Sequence, residues 1–281
     1  MKNDFVDQCY EKFEKIIIER NLIKDIDEFL ILYSFGKDCT MMLDLFLRFY
    51  ETHKLTIPYS VYSVTFPKHM YLAPDGSLNP DIEKTVNYWK DRGIEIKIET
   101  PPYADFEDED KYGCRICKKS RKPLLDPYIN AFPDKTGVLT GFTMYDALAY
   151  LTMVQLACNY NIENLYKLPE PTRSTTSKML HKMSLREDLP NGKHFIRPML
   201  PFNEKEVQQY IAAVGLPHST AECKISKYKF KRQLSRGLDL FDDFAVTYEG
   251  IEEFLKKFGV SLNDGGLPFE DVQHDNFFID C

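Results

Sequence analysis

At 281 residues with 43% hydrophobic content, the chain is long enough to bury the core of one large domain or two small ones. Its start, Met1-Lys2-Asn3-Asp4-Phe5, has no apolar run behind the lysine, and no later stretch reaches the roughly 18 uncharged apolar residues that span a bilayer, so a membrane protein is excluded and a cytoplasmic one expected. The formal charge of −7 hides two basic segments without acids, Arg115 to Lys122 and Lys224 to Arg236, where anions are expected.

Phe5, Val6, Cys9, Phe13, Ile16 and Ile17 recur at helical spacing and predict an amphipathic helix ending near Asn21. The continuous apolar run Phe29 to Tyr33 predicts a strand buried on both faces, and Met41, Met42, Leu45, Phe46 and Phe49 resume the helical period. Ser34 to Thr40 is then a strand-to-helix turn. Val61 to Phe66 reads as a second strand, and Asn79-Pro80 opens a helix buried through Ile82, Val86 and Trp89 and ended by Gly93. Ile94, Ile96 and Ile98 alternate with charged residues as a third strand, and Val138 to Thr140 forms a fourth before a helix over 145–158. Phe195-Ile196 is a further strand, followed by a helix with capping-box spacing at Asn203 and Glu206 and a stop at Gly215 and Pro217. The acidic run Asp105 to Asp110 reads as a solvated loop, and the residues after Gly265-Gly266 as a loosely held tail.

Strands alternating with helices predict an α/β fold with a mostly parallel, Rossmann-like sheet flanked by helices. The expected organisation is an N-terminal helix over 1–22, a main domain over 23–240 and a helical extension with a tail over 241–281.

Such a sheet binds ligands at the carboxyl ends of its strands, and the first such turn is Ser34-Phe35-Gly36-Lys37-Asp38-Cys39-Thr40. Gly36 lets the backbone approach an anion. The amides at the start of the next helix, hydroxyls from Ser34 and Thr40, and the charge of Lys37 suit a pyrophosphate, while Asp38 orients Mg²⁺ or the turn itself. The wording is neither G-x-x-x-x-G-K-[ST] nor G-x-G-x-x-G.

Seven cysteines without an export signal argue against a disulfide framework and towards metal or redox chemistry. Cys114-Arg115-Ile116-Cys117 brings two thiols within reach of one metal, and Cys223 can complete the site in space. Zinc, a thiol relay and an iron–sulfur cluster all use such residues, although no second CxxC or histidine pair supplies the four ligands of structural zinc. Three thiolates leave one iron of a [4Fe–4S] cluster open to sulfide. Cys158 fits a core position, Cys39 fits packing within the turn, and Cys9 and Cys281 receive no role.

The turn resembles the S-G-G-x-D-S loop of the N-type ATP pyrophosphatases, with Phe35 where a second glycine is usual. Leu22 to Asp27 and His194-Phe195-Ile196-Arg197-Pro198-Met199-Leu200 are similar to the tRNA 2-thiocytidine synthetase branch, so the resemblance covers most of residues 20–240. It implies an adenine nucleotide alpha hydrolase type of fold and cleavage of ATP between its α and β phosphates, with AMP attached to a substrate oxygen and then displaced. It implies that Ser34, Gly36, Lys37, Asp38, Cys39, Thr40, Gly141, Asp146 and Arg197 bind the nucleotide with Mg²⁺. It also implies that Cys114, Cys117 and Cys223 hold a [4Fe–4S] cluster, and that Lys37, Asp38 and the three cysteines carry catalysis. Of Gly141 to Asp146, only Gly141 and Asp146 match the relatives. The implied activity is an ATP-dependent sulfurtransferase, fed by sulfide or another sulfur donor, that turns a carbonyl-type oxygen into C=S. The acceptor is tRNA or a small molecule; a PAPS-type reductase and a non-catalytic nucleotide or cluster sensor are the rival classes, and a homodimer is compatible with each.

Overall fold

The computed structural model describes residues 4–102, 105, 113–149, 152, 181–225, 246–257 and 261–263. The acidic run 106–110, the helix through Cys158, the basic residues 227–236 and the tail beyond Asn263 therefore lie outside the described residues. Helix α1 (Asp4–Glu19) leads to β1 (Glu28–Leu32), α2 (Lys37–Thr52), β2 (Tyr59–Val64), a short α3 (Lys68–Tyr71), α4 (Pro80–Lys90) and β3 (Ile96–Glu99). Next come α5 (Gly113–Ala131), β4 (Thr136–Leu139), β5 (Arg186–Asp188), β6 (His194–Ile196), α6 (Glu204–Val214) and α7 (Tyr248–Lys256).

The sheet order is β3-β2-β1-β4-β6-β5, parallel throughout except for β5. The expected α/β class is thus what the chain adopts. β1 is buried on both faces because its residues alternate between two cores. Phe29, Ile31 and Tyr33 pack with α1, α2, α4 and α6, whereas Leu30 and Leu32 pack with Tyr62, Val64 and the Leu125 and Ile129 face of α5. A run without polar alternation is the consequence.

The predicted caps form as read. Asn79 accepts from the Asp81 amide at 3.0 Å, Asn203 and Glu206 make a capping box, and Gly215 closes α6 at φ 75°. Two elements differ from expectation. Strand β5 consists of Arg186-Glu187-Asp188, a charged triplet that pairs only because Glu187 meets the buried Arg197 on one side while Arg186 and Asp188 bond outside. Helix α5 runs through Pro123 and Pro127, both on the exposed side, while Leu125 and Ile129 anchor the buried side. No helix among the described residues is long and apolar enough to cross a membrane.

Candidate active site

β1 pairs with β2 on one side and with β4 on the other, so the chain reverses direction across the sheet at the carboxyl end of β1. In an open α/β sheet such a switch point, between the turn after β1 and the turn after β4, is where ligands bind. The first turn enters α2 at Gly36, whose N-cap position carries no side-chain cap, so an uncapped 16-residue helix begins there. Its amides and dipole favour an anion.

Phe35 explains how the turn forms without a second glycine. It adopts φ 61°, the left-handed conformation, and its ring is fully buried against Tyr33 and Tyr71. Burial of the ring outweighs a backbone cost of about 1–2 kcal/mol. Gly141 meets the turn from β4 so closely that a Cβ there lies 2.7 Å from the Cys39 Sγ and 2.9 Å from the Cys39 nitrogen. Only glycine fits without displacing the start of α2.

The polar residues of the turn are each held by neighbours within the fold. Ser34 donates to the Cys39 Sγ at 3.2 Å, which fixes that thiol within the turn. Thr40 was expected to offer its hydroxyl to an anion, but it is fully buried and hydrogen-bonded at 2.7 Å to Tyr33, whose hydroxyl accepts from the Trp89 indole at 2.9 Å. As the fourth residue of α2, Thr40 faces the core. Lys37 reaches Asp38 at 3.1 Å and Glu204 at 3.0 Å. Burial pulls its ammonium down, but the charges of Asp38 and Glu204 outweigh that and hold it above the ordinary lysine range.

Asp146 caps the helical stretch that starts at residue 144, accepting from the Thr143 amide at 2.8 Å. Arg197 is 4% exposed and pairs with Glu187 at 2.5 Å while donating to the Ser184 carbonyl at 3.1 Å and the His181 carbonyl at 3.3 Å. These contacts pin the end of β6.

Two of the thiols, those of Cys117 and Cys223, lie against the β1–β2 part of the sheet. Cys117, in the first turns of α5, approaches the Phe66 carbonyl at 3.9 Å, and Cys117 and Cys223 both pack against the Leu30 and Tyr62 core. Cys114 lies three residues earlier on α5, and its side chain is outside the described ones. Among the described residues no three metal-ligating side chains converge. The segment carrying Cys223 is tied to the turn after β1, because the Ser219 amide donates to the Phe35 carbonyl at 2.8 Å, and to α4, because Thr220 donates to Asp81 at 2.7 Å. His69 links the two halves: its Nδ1 meets Asp105 at 2.5 Å and its Nε2 accepts from the Lys224 amide at 3.4 Å. Cys9, by contrast, is buried in the α1 core with its thiol pushed up to about 11 by desolvation and by Glu206, which suits an inert residue.

Sequence reading missed Glu204, His69, Asp105 and Ser219 as neighbours of the site. Glu204 stood only beside a capping box, and the others carry no motif.

Among solved structures, the U34-tRNA thiolase NcsA from Methanococcus maripaludis with its [4Fe-4S] cluster superposes with a TM-score of 0.65, at 16% identity over 97% of this chain and 86% of that one. The chain shares the overall α/β fold of that structure. At that identity the likeness establishes fold alone. Candida glabrata FMN adenylyltransferase, in complex with FMN and the ATP analogue AMPCPP, gives a TM-score of 0.38 at 11% identity over 75% of this chain and 59% of that one, too low to support any inference. No protein-family profile and no curated protein matches the chain. Within this fold the uncapped α2 start, the Gly141 contact and the cysteine segments all lie at the carboxyl edge of the sheet.

Proposed function

We propose that the chain is an ATP-dependent sulfurtransferase that adenylates a carbonyl-type oxygen on a tRNA nucleobase and replaces it with sulfur, releasing AMP and pyrophosphate. The observation that carries this reading is the hydrogen bond from the Ser219 amide to the Phe35 carbonyl, which joins the segment bearing Cys223 to the turn suited to a triphosphate. Activation and sulfur delivery need to meet at one carbon, and this bond keeps their residues together.

Ser34, Gly36, Lys37, Asp38 and Cys39 cradle the phosphates, with Gly36 leaving the backbone open and Lys37 stabilising the charge that builds on departing pyrophosphate. Asp38 would hold a Mg²⁺ brought in with the nucleotide, which would neutralise phosphate charge. Gly141 keeps the β4 turn against Cys39, and Asp146 and Arg197 support the same wall from behind. The substrate oxygen attacks the α-phosphorus, the bond to pyrophosphate breaks, and the poor oxide leaving group becomes AMP. Sulfide then attacks the activated carbon and the C–O bond to AMP breaks, leaving C=S.

Cys114, Cys117 and Cys223 fit an iron–sulfur cluster: two of the thiols flank one apolar core, which limits water, and the donor set is all thiolate. Held by Cys114, Cys117 and Cys223, a [4Fe–4S] cluster would supply an iron without a protein ligand as a site for sulfide. The tRNA assignment is supported by the thiolase likeness and by Lys119, Arg121 and Lys122 on the helix that carries Cys117, which suit a phosphate backbone. A small carbonyl metabolite is the alternative acceptor.

The test is product analysis under anoxic conditions with ATP, sulfide and unmodified tRNA. AMP, pyrophosphate and thiolated nucleoside in equal amounts support the reading. Release of sulfite from a sulfonucleotide, or nucleotide binding without turnover in the presence of either acceptor, overturns it.

A further inference from the structure

Lys37 is the cation of the phosphate turn, yet two carboxylates already hold it. One is its neighbour Asp38; the other, Glu204, comes from a different part of the chain. Glu204 is the first residue of α6, and its two oxygens are both engaged, one by Lys37 at 3.0 Å and one by Gln208 at 2.7 Å. The helix behind it is fixed on two sides. Tyr210 donates to Asp44 of α2 at 2.6 Å, and Lys12 of α1 pairs with Glu206 at 2.7 Å. Glu204 therefore stands at a set distance from the turn, unlike a mobile surface carboxylate that forms an ion pair and leaves it. Its capping-box neighbours Asn203 and Glu206 already satisfy the helix start, so its own carboxylate is not needed there.

The local sum of Lys37, Asp38 and Glu204 is one negative charge. A bare triphosphate entering this turn meets two carboxylates within reach of the ammonium that must bind it. A triphosphate carrying a divalent cation brings the compensating charge with it. We propose that Glu204 is a specificity-determining residue of the turn, which makes it select the metal-bound form of the nucleotide and reject the metal-free form. The inference rests on the turn being a triphosphate site, as the proposed function has it.

A carboxylate a few ångströms from the phosphates, in partly screened surroundings, changes anion affinity by about tenfold or more. The experiment is calorimetric titration of the full-length protein with a non-hydrolysable ATP analogue, in MgCl₂ and in EDTA. Wild type is expected to bind at least about tenfold more weakly in EDTA. Glu204→Gln keeps the Gln208 contact and removes the charge, so its EDTA affinity rises and the ratio of the two dissociation constants falls towards one. Glu204→Ala gives the same change. Tyr210→Phe loosens α6 without altering the charge beside Lys37 and keeps the wild-type ratio. A wild-type ratio retained in both Glu204 variants overturns the inference while leaving the triphosphate site intact, as does a ratio that collapses equally in Tyr210→Phe. No binding by wild type in either buffer overturns the triphosphate site itself.

Discussion

Alanine at Gly36 and alanine at Gly141 separate a glycine kept for a ligand from one kept for packing. At Gly141 the added Cβ lies 2.7 Å from Cys39 Sγ, 2.9 Å from its nitrogen and 3.0 Å from its Cα, and two of those atoms are backbone at the start of α2. The turn or the helix has to move by several tenths of an ångström. Overpacking of this kind costs about 1–3 kcal/mol, which lowers the melting temperature by about 2–4 °C per kcal/mol in a chain of this size. At Gly36 the nearest atom to a new Cβ is the Ser34 Oγ at 3.5 Å, an ordinary contact, and φ is −74°, which alanine adopts freely. Gly36→Ala is therefore expected to melt within about 1 °C of wild type but to lose nucleotide affinity by tenfold or more, because the methyl group occupies space beside the uncapped amides. Thermal melts and nucleotide titration on both variants check the pair. If Gly141→Ala melts like wild type, the close contact is not real; if Gly36→Ala binds nucleotide normally, the turn does not hold the phosphates.

Three further outcomes follow from the same geometry. Phe35→Gly relieves the left-handed backbone, worth about 1–2 kcal/mol, but loses a buried ring worth about 3–5 kcal/mol, so chemical denaturation is expected to show a net loss of about 1–4 kcal/mol. Glu187→Ala leaves Arg197 charged and buried with its strongest partner gone, and a loss of about 3–5 kcal/mol is expected by the same assay. His181 is held below the ordinary histidine value of 6.5 by burial, helped by Arg197 and opposed by Glu187. The unfolded chain then binds its proton first, so stability is full above pH 6.5, falls as the pH drops below it by up to about 1.4 kcal/mol per unit, and stops falling once the pH passes the lower folded value. His181→Gln removes that share of the acid slope in pH-dependent melts.

Sequence periodicity carried the parallel sheet because β1, α2, α4 and α6 each bury a face with regular spacing, and the caps at Asn79 and Asn203 use side chains whose role is local. The thiol-bearing helix was not legible. Pro123 and Pro127 argue against a helix by local propensity, and only the packing of Leu125, Tyr128 and Ile129 on the sheet overrides them. Strand β5 escaped notice because its partners are an arginine eleven positions beyond Arg186 and a histidine eight beyond it, so its charges looked solvated. The strand-to-helix turn after β1 was read from its wording and position, yet the direction of the Thr40 hydroxyl depended on Tyr33 and Trp89, residues joined to it only by the fold. The clamp of Lys37 by Glu204 spans 167 residues and carries no local signal.

The central claim is that Cys114, Cys117 and Cys223 hold a cluster beside an ATP-activating turn, and metal analysis of protein purified without oxygen tests it most directly. Iron, acid-labile sulfide and zinc are measured per chain, in wild type and in Cys117→Ser, Cys223→Ser and Lys37→Ala, with nucleotide affinity measured in parallel. The account predicts iron and sulfide near about four each in wild type, loss of both in the cysteine variants with nucleotide binding kept, and the reverse pattern in Lys37→Ala. Stoichiometric zinc in place of iron, or iron retained in both cysteine variants, contradicts it.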